Sequence, residues 1–309
     1  MMSRVHSSNH FSLEKVSDGI YAAFAKEGGG AVGNAGFVDL GDKTIVFDTF
    51  NTQQSAEDLK QMAESITERP VSWVINSHWH GDHVRGNQAF NESNIVSSDK
   101  TFKNMKEIHP ERISKQKNDL AGLQNYIETL EEKAKETKES KETKDEKINL
   151  QISFLHEIEK SLPDLQLVLP NYTFKDEFTI YGSKRSARLF TLGGGHSICD
   201  SMLYIPENKT MFSGDLVAVD THPALFEESN PEEWLAILNK LKEMEIETII
   251  PGHGPVGNKQ NVYEIFNYIK HLLKAVSESS EGNVLPENYK RWLSPEIYQQ
   301  NIKTISLKD

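Results

Sequence analysis

The chain has 309 residues, of which 37% are apolar; that length buries a large core without disulfide staples, and that composition excludes wholesale disorder. Against 34 basic side chains stand 46 acidic ones, and the net charge of −12 makes nucleic acid and anionic membranes disfavoured partners. A single cysteine, Cys199, excludes an internal disulfide, a Cys-rich zinc module and CxxC redox chemistry, so any metal must rest on histidine and carboxylate.

Short apolar runs between turn residues predict strands at 20–24 (IYAAF), 35–40 (AGFVDL), 44–50 (TIVFDTF) and 71–76 (VSWVIN). Gly41-Asp42 predicts a tight hairpin between the second and third runs, and Gly28-Gly29-Gly30 a flexible loop between the first and second. Between the third and fourth runs, residues 55–68 put Leu59, Met62, Ala63 and Ile66 on one helical face. From about Asp99 to Leu162 the chain turns rich in Lys, Glu, Gln and Asn, with glycine only at Gly122. Two apolar stripes stand out there, Leu120-Leu123-Ile127-Leu130 and Ile148-Ile152-Leu155-Ile158-Leu162. The segment KAKETKESKETKDEKI between them alternates charge, as a solvated helix extension or the turn of an antiparallel pair would. The reading is a helical hairpin, 99–162, inserted into a single domain of 1–309, with a coiled-coil dimerisation arm as the alternative.

Strand rhythm returns at 177–182, 187–192, 201–205 and 210–215, followed by a helix at 231–246, a short buried strand in TIIPGHG (248–254) and a closing helix at 261–276. Beyond Gly282 one or two short helices are expected, with no function attached. No fixed-period repeat appears, and the order of elements predicts an α/β protein of two packed sheets sandwiched by helices.

Chemistry concentrates in histidine. HWHGDH places His78, His80 and His83 in one hexapeptide directly after VSWVIN. In an extended chain His78 and His80 point the same way and Trp79 the other, and Gly81 permits a bend that swings Asp82 and His83 round beside them. Nitrogen and carboxylate donors at this density suit zinc, with iron or manganese as alternatives. His196 follows a strand through Gly193-Gly194-Gly195, Asp215 follows another through Gly214, and His253 lies in Pro251-Gly252-His253-Gly254. Each donor therefore sits where a strand runs out into a glycine loop, so one sheet edge gathers them all.

With these residues in view, the chain resembles the metallo-β-lactamase superfamily over most of its length outside the helical insert. HWHGDH matches the HxHxDH signature, and Gly195-His196, Ser213-Gly214-Asp215 and Pro251-Gly252-His253-Gly254 match the loops that carry the remaining ligands. The resemblance implies an αββα four-layer sandwich with two divalent ions, most readily Zn2+, at one edge. It assigns His78, His80 and His196 to the first ion, Asp82, His83 and His253 to the second, and Asp215 to both. Asp48, ending TIVFD, resembles the buried carboxylate that orients a ligand histidine; an ordinary turn former is the alternative. Two divalent ions, two aspartates and one bridging hydroxide leave about one positive charge, enough to generate a hydroxide nucleophile at neutral pH and to polarise a carbonyl or phosphoryl oxygen. Asp82 is expected to orient that hydroxide and to carry a proton to the leaving group.

The family's β-lactam-hydrolysing branch has cysteine where this chain has Asp215, whereas the glyoxalase II, lactonase and ribonuclease Z branches have the bridging aspartate. The expected activity is therefore hydrolysis of an ester, thioester, lactone or amide-type bond in a small molecule. The alternatives are a phosphodiesterase at the same centre and a non-catalytic metal- or partner-binding sandwich. His222 and Tyr172 are the candidate substrate contacts, with Trp79 and Phe226 as further wall residues. Cys199 is expected to be a small buried residue. The insert is expected to act as a lid or as the contact of a homodimer. With no membrane-length apolar run and no apolar core at the start, the sequence reads as cytoplasmic.

Overall fold

The computed structural model describes residues 8–137, 142–278 and 284–308. The first sheet runs in chain order through β1 (Phe11–Ser17), β2 (Ile20–Ala25), β3 (Ala35–Asp39), β4 (Thr44–Phe47), β5 (Val71–Ile75), β6 (Asn94–Ser98) and β7 (Tyr172–Phe174). Pairing is antiparallel from β1 to β4 and parallel from β4 to β7. The switch follows from connection length. The Gly41-Asp42 turn reverses the chain between β3 and β4, whereas α1 (Gln53–Thr67) crosses over from β4 to lay β5 down in the same direction. After β5 come the short α2 (Gly81–Val84) and then, past β6, α3 (Asp99–Asn118), α4 (Leu120–Thr137) and α5 (Glu142–Ser161). The second sheet holds β8 (Glu177–Tyr181), β9 (Ser186–Thr191), β10 (Ser201–Ile205), β11 (Thr210–Ala218) and β12 (Thr248–His253), with α6 (Pro231–Glu243), α7 (Lys259–Ser277) and α8 (Glu296–Ser306) beside it.

The two-residue period of the strands builds the layers. Val38, Ile45 and Ile75 face the second sheet and meet Leu189, Leu203, Phe212 and Ile250, while their neighbours Phe37, Val46 and Val74 face outward onto Leu59 and Met62 of α1. Trp234, Leu238 and Leu241 of α6 and Ile265, Ile269 and Leu272 of α7 cover Met202, Met211 and Ile249 on the far face. Each such side chain contributes roughly 1.5–3 kcal/mol on full burial. The result is the αββα sandwich, with the loops after β4, β5, β9, β11 and β12 at one edge.

The sequence reading missed β1, β6 and β7 and took the insert for two helices. The strand β1 (FSLEKVS) is polar on its exposed face, and β6 (NIVSS) is held by parallel neighbours rather than by apolar content. In the insert, α3 precedes the hairpin and buries Thr101, Met105, His109 and Ile113, a stripe whose polar members hide it from a hydrophobic count. The antiparallel pair itself is α4 and α5, and 138–141 of the charge-alternating stretch lie outside the described residues. Among the described residues no helix is long and apolar enough to cross a membrane.

Candidate metal centre

Past Ile75 the extended chain carries His78 and His80 towards one point, with their rings 4.6 Å apart, and α2 then turns Asp82 and His83 in beside them. The loop after β9 adds His196, β11 adds Asp215 and the end of β12 adds His253. Asp215 Oδ2 lies 3.2 Å from His196 Nε2 and 3.9 Å from His78 Nε2, and His196 Nε2 lies 3.1 Å from His80 Nδ1. On the other side Asp215 Oδ1 is 3.2 Å from His83 Nε2, and Asp82 Oδ2 is 3.5 Å from both His83 Nε2 and His253 Nε2. Asp215 Oδ2 is also 3.4 Å from His253 Nε2, so one carboxylate touches both groups. Glycine makes the approach possible: a Cβ at Gly252 would overlap Asp215 Oδ1, and one at Gly33 would lie 2.7 Å from the His83 ring.

The residues fit a pair of ions. Four ligands held tetrahedrally at about 2.0–2.1 Å from zinc stand about 3.3 Å from one another, close to the spacings above. His78 Nε2, His83 Nε2 and Asp215 Oδ1 are buried without a hydrogen-bond partner, a cost of about 1–3 kcal/mol each unless something else engages them.

Hydrogen bonds behind the imidazoles free the inward nitrogens. Asp48 accepts from Ser77 N, Ser77 Oγ and His83 Nδ1, each at 2.8 Å, and Ser77 Oγ in turn accepts from His78 Nδ1 at 2.9 Å. His196 donates Nδ1–H to the Ala224 carbonyl at 3.1 Å, and His80 donates Nε2–H to Glu228 at 2.8 Å. Three of these rings therefore present Nε2 and His80 presents Nδ1. Asp48 is fully buried at φ +60°, a left-handed conformation that aspartate tolerates better than most residues. Asp200 fixes the glycine loop, accepting from Gly195 N at 2.8 Å and Ser197 Oγ at 2.6 Å, and burial pushes its carboxyl up to about 6.

Charge is divided across the centre. Burial and its cationic neighbours hold His78 well below the usual histidine range, and burial takes His196 down to about 3. Burial also opposes the charged forms of His83 and His253, but Asp215 and Asp82 outweigh it, raising His83 strongly and His253 to about 10. The same contacts overcome burial at Asp82 and Asp215 and hold both well below the usual carboxylate range. Without metal, His83 and His253 are thus protonated at neutral pH, and an ion must displace those protons. Zinc titration in weak buffer at pH 7 is expected to release protons from both, with affinity rising as pH rises. A pH indicator dye measures this, and proton-neutral loading would contradict the charge assignment.

Two chambers meet at the cluster, both bordered by His80, Asp82 and Phe226. One, of about 250 Å3, is closed by Ala218, Pro223 and Ile297; the other, of about 560 Å3, by Trp79, Arg112 and Glu228. Ile297 brings α8, the tail without an expected function, into the wall of the cleft. His222 borders the smaller chamber, but both of its nitrogens are committed, to Tyr268 OH at 2.9 Å and the Tyr289 carbonyl at 3.2 Å. It stands in the chamber wall with both ring nitrogens engaged. Tyr172 stands on β7 against Trp73, with ring centroids 5.2 Å apart, and borders neither chamber. Among the described residues, none of α4 or α5 borders either chamber. Cys199 is buried, and burial pushes its thiol up to about 12, so it stays unreactive. Ser77, Asp200, Glu228 and Arg112 were missed. Asp200 had a local signal, a turn-forming Asp four residues past His196, whereas Glu228 reaches His80 across 148 positions and had none.

The family model of the metallo-beta-lactamase superfamily matches residues 28–253. Among curated proteins, a linear primary-alkylsulfatase of Pseudomonas sp. is 21% identical over 79% of this chain, which spans 46% of that protein. A beta-lactamase-like protein 2 homolog of Caenorhabditis elegans is 23% identical over 86% of this chain and 71% of its own. A type 2 metallo-beta-lactamase of Bacteroides fragilis is 20% identical over 89% and 90%. Among solved structures, a metallo-beta-lactamase from Pontibacter korlensis superposes with TM-score 0.61 at 16% identity, covering 84% of this chain and 99% of its own. The DIM-1 metallo-beta-lactamase gives TM-score 0.58 at 19% identity, covering 85% and 98%. These structures share the fold. The match over residues 28–253, on a sandwich whose loops converge in this way, means that the chain belongs to the metallo-beta-lactamase superfamily of metal-dependent hydrolases.

Proposed function

We propose that the chain is a dinuclear zinc hydrolase acting on an ester, thioester, lactone or amide-type bond of a small molecule. The observation that carries this is the convergence of seven donors in two groups, with three buried inward atoms that lack a hydrogen-bond partner. His78, His80 and His196 would hold one ion and Asp82, His83 and His253 the other, with Asp215 shared. When bound, such ions supply Lewis acidity and hydroxide at neutral pH. The chain supplies the rest. Asp82 borders both chambers, placing its carboxylate to take a proton from water and return it to the leaving group. Asp48, Ala224 and Glu228 keep the imidazoles oriented, and Phe226 and Ile297 give one side an apolar wall.

Asp82→Asn, which keeps an oxygen ligand but loses the base, is expected to lower kcat by about 10²–10⁴-fold. Metal analysis of the variant checks that loading survives; both ions with full turnover would remove the role. For the whole assignment, metal content by emission spectroscopy is paired with turnover before and after chelation. The panel holds a thioester, a lactone, a cephalosporin, a primary alkyl sulfate and a bis-phosphodiester. Two ions per chain and chelator-sensitive turnover of the thioester or lactone are expected. Turnover of the bis-phosphodiester alone would favour the phosphodiesterase, and two ions with no turnover a binding role. We also propose a cytoplasmic protein that pairs through the insert, tested by cell fractionation and by light scattering of a chain lacking α4 and α5.

A further inference from the structure

The larger chamber holds a group that the centre itself does not use. Arg112, on α3 of the insert, lies over the Trp79 ring with its guanidinium carbon 4.6 Å from the centroid. Trp79 is locked in place, donating Nε1–H to Glu228 at 2.9 Å while its carbonyl accepts from His109 Nε2 at 2.6 Å. Burial takes His109 down to about 4, so this donor is a neutral ring. His109 and Arg112 are one turn apart on α3 and both touch Trp79, one at its carbonyl and one over its ring.

The nearby Arg85 donates to Gln116 Oε1 at 2.8 Å and lines a different cavity, beside Leu123 and Tyr126. Glu228 is also engaged, by Trp79 and His80. Among the described residues no acidic side chain forms an ion pair with Arg112, which rests against the indole. A guanidinium resting over an aromatic ring keeps N–H donors for a two-oxygen anion. Phe226 and the indole supply apolar walls, and His80 and Asp82 bring the metal-ligand cluster to the other end of the chamber.

From this the geometry points to Arg112 as an anion subsite: the substrate carries a carboxylate on the side of its scissile bond that occupies the Trp79 chamber. Its other, compact apolar portion enters the smaller chamber against Ala218, Pro223 and Ile297. This rests on the hydrolase reading for the scissile bond, but the subsite can be tested without turnover. Thiolates bind zinc directly, so ω-mercaptocarboxylates with two to six methylenes, each paired with its primary amide, span the chamber from the metal end.

Isothermal titration calorimetry on the zinc-loaded protein reads their affinities. At the chain length that reaches Arg112, the carboxylate is expected to bind about 10- to 100-fold more tightly than its amide, the range of a charged hydrogen bond. Arg112→Ala should abolish that preference and Arg112→Lys should keep part of it, with zinc content and melting temperature unchanged in both. No preference at any length, or a preference that survives in Arg112→Ala, would overturn the subsite. The probes are not hydrolysed, so a failed substrate panel would count against the hydrolase reading and leave this measurement standing.

Discussion

Replacing Asp215 with alanine is expected to leave the protein with at most one metal ion per chain and to lower turnover by more than the roughly 10- to 100-fold typical of losing an outer hydrogen-bond partner. The reason is position. Its two oxygens reach His196 and His83 at 3.2 Å each and His253 at 3.4 Å, so one substitution removes a donor from both groups. Emission spectroscopy and steady-state rates read the outcome; two tightly held ions with undiminished turnover would refute the shared-ligand assignment.

The variant also carries a pH signature in the metal-free protein. His253 has a folded-state pKa raised to about 10, with Asp215 the largest contributor against burial. A raised histidine pKa stabilises the fold fully below the unfolded value of about 6.5, and the contribution is lost as pH rises through the folded value. The apo wild type should therefore lose melting temperature between about pH 6.5 and 10. Asp215→Ala should flatten that decline, and an equally steep decline would contradict the assignment.

Asp48→Ala is expected to weaken metal binding by about 10- to 100-fold and to destabilise the apo protein by about 1–3 kcal/mol, the cost of leaving buried donors without their acceptor. Three hydrogen bonds go at once, those from Ser77 N, Ser77 Oγ and His83 Nδ1. With them goes the alignment of His83 directly and of His78 through Ser77. Alanine at φ +60° adds about 1–2 kcal/mol of strain. Asp48→Asn is expected to fall between: it keeps an acceptor for Ser77 N and tolerates the backbone, yet cannot accept from both Ser77 Oγ and His83. Competition with a chromophoric chelator and urea denaturation measure the two effects. Unaltered metal affinity in Asp48→Ala would show that the imidazoles hold their orientation without it.

The sequence alone determined which donors are candidates. Donors must be particular side chains at particular chain positions, and His78, His80, Asp82 and His83 lie so close together in the chain that local geometry brings them to one place. The layered fold was also legible, because a strand buried on one or both faces must write its period into its apolar residues, as β3, β4 and β5 do. Tertiary structure alone decided what stands behind and around the ligands. Glu228 meets His80 across 148 positions, and His109 meets Trp79 across 30. A buried polar group satisfied by a distant partner has no periodicity to betray it. The surroundings of His222 and Tyr172 were illegible for the same reason: whether a ring nitrogen is free, or a tyrosine faces a cleft or a neighbouring strand, depends on which backbone arrives beside it. The insert shows both limits, since the stripes of α4 and α5 were readable while α3, whose buried face includes Thr101 and His109, became recognisable only once the sandwich lay against it.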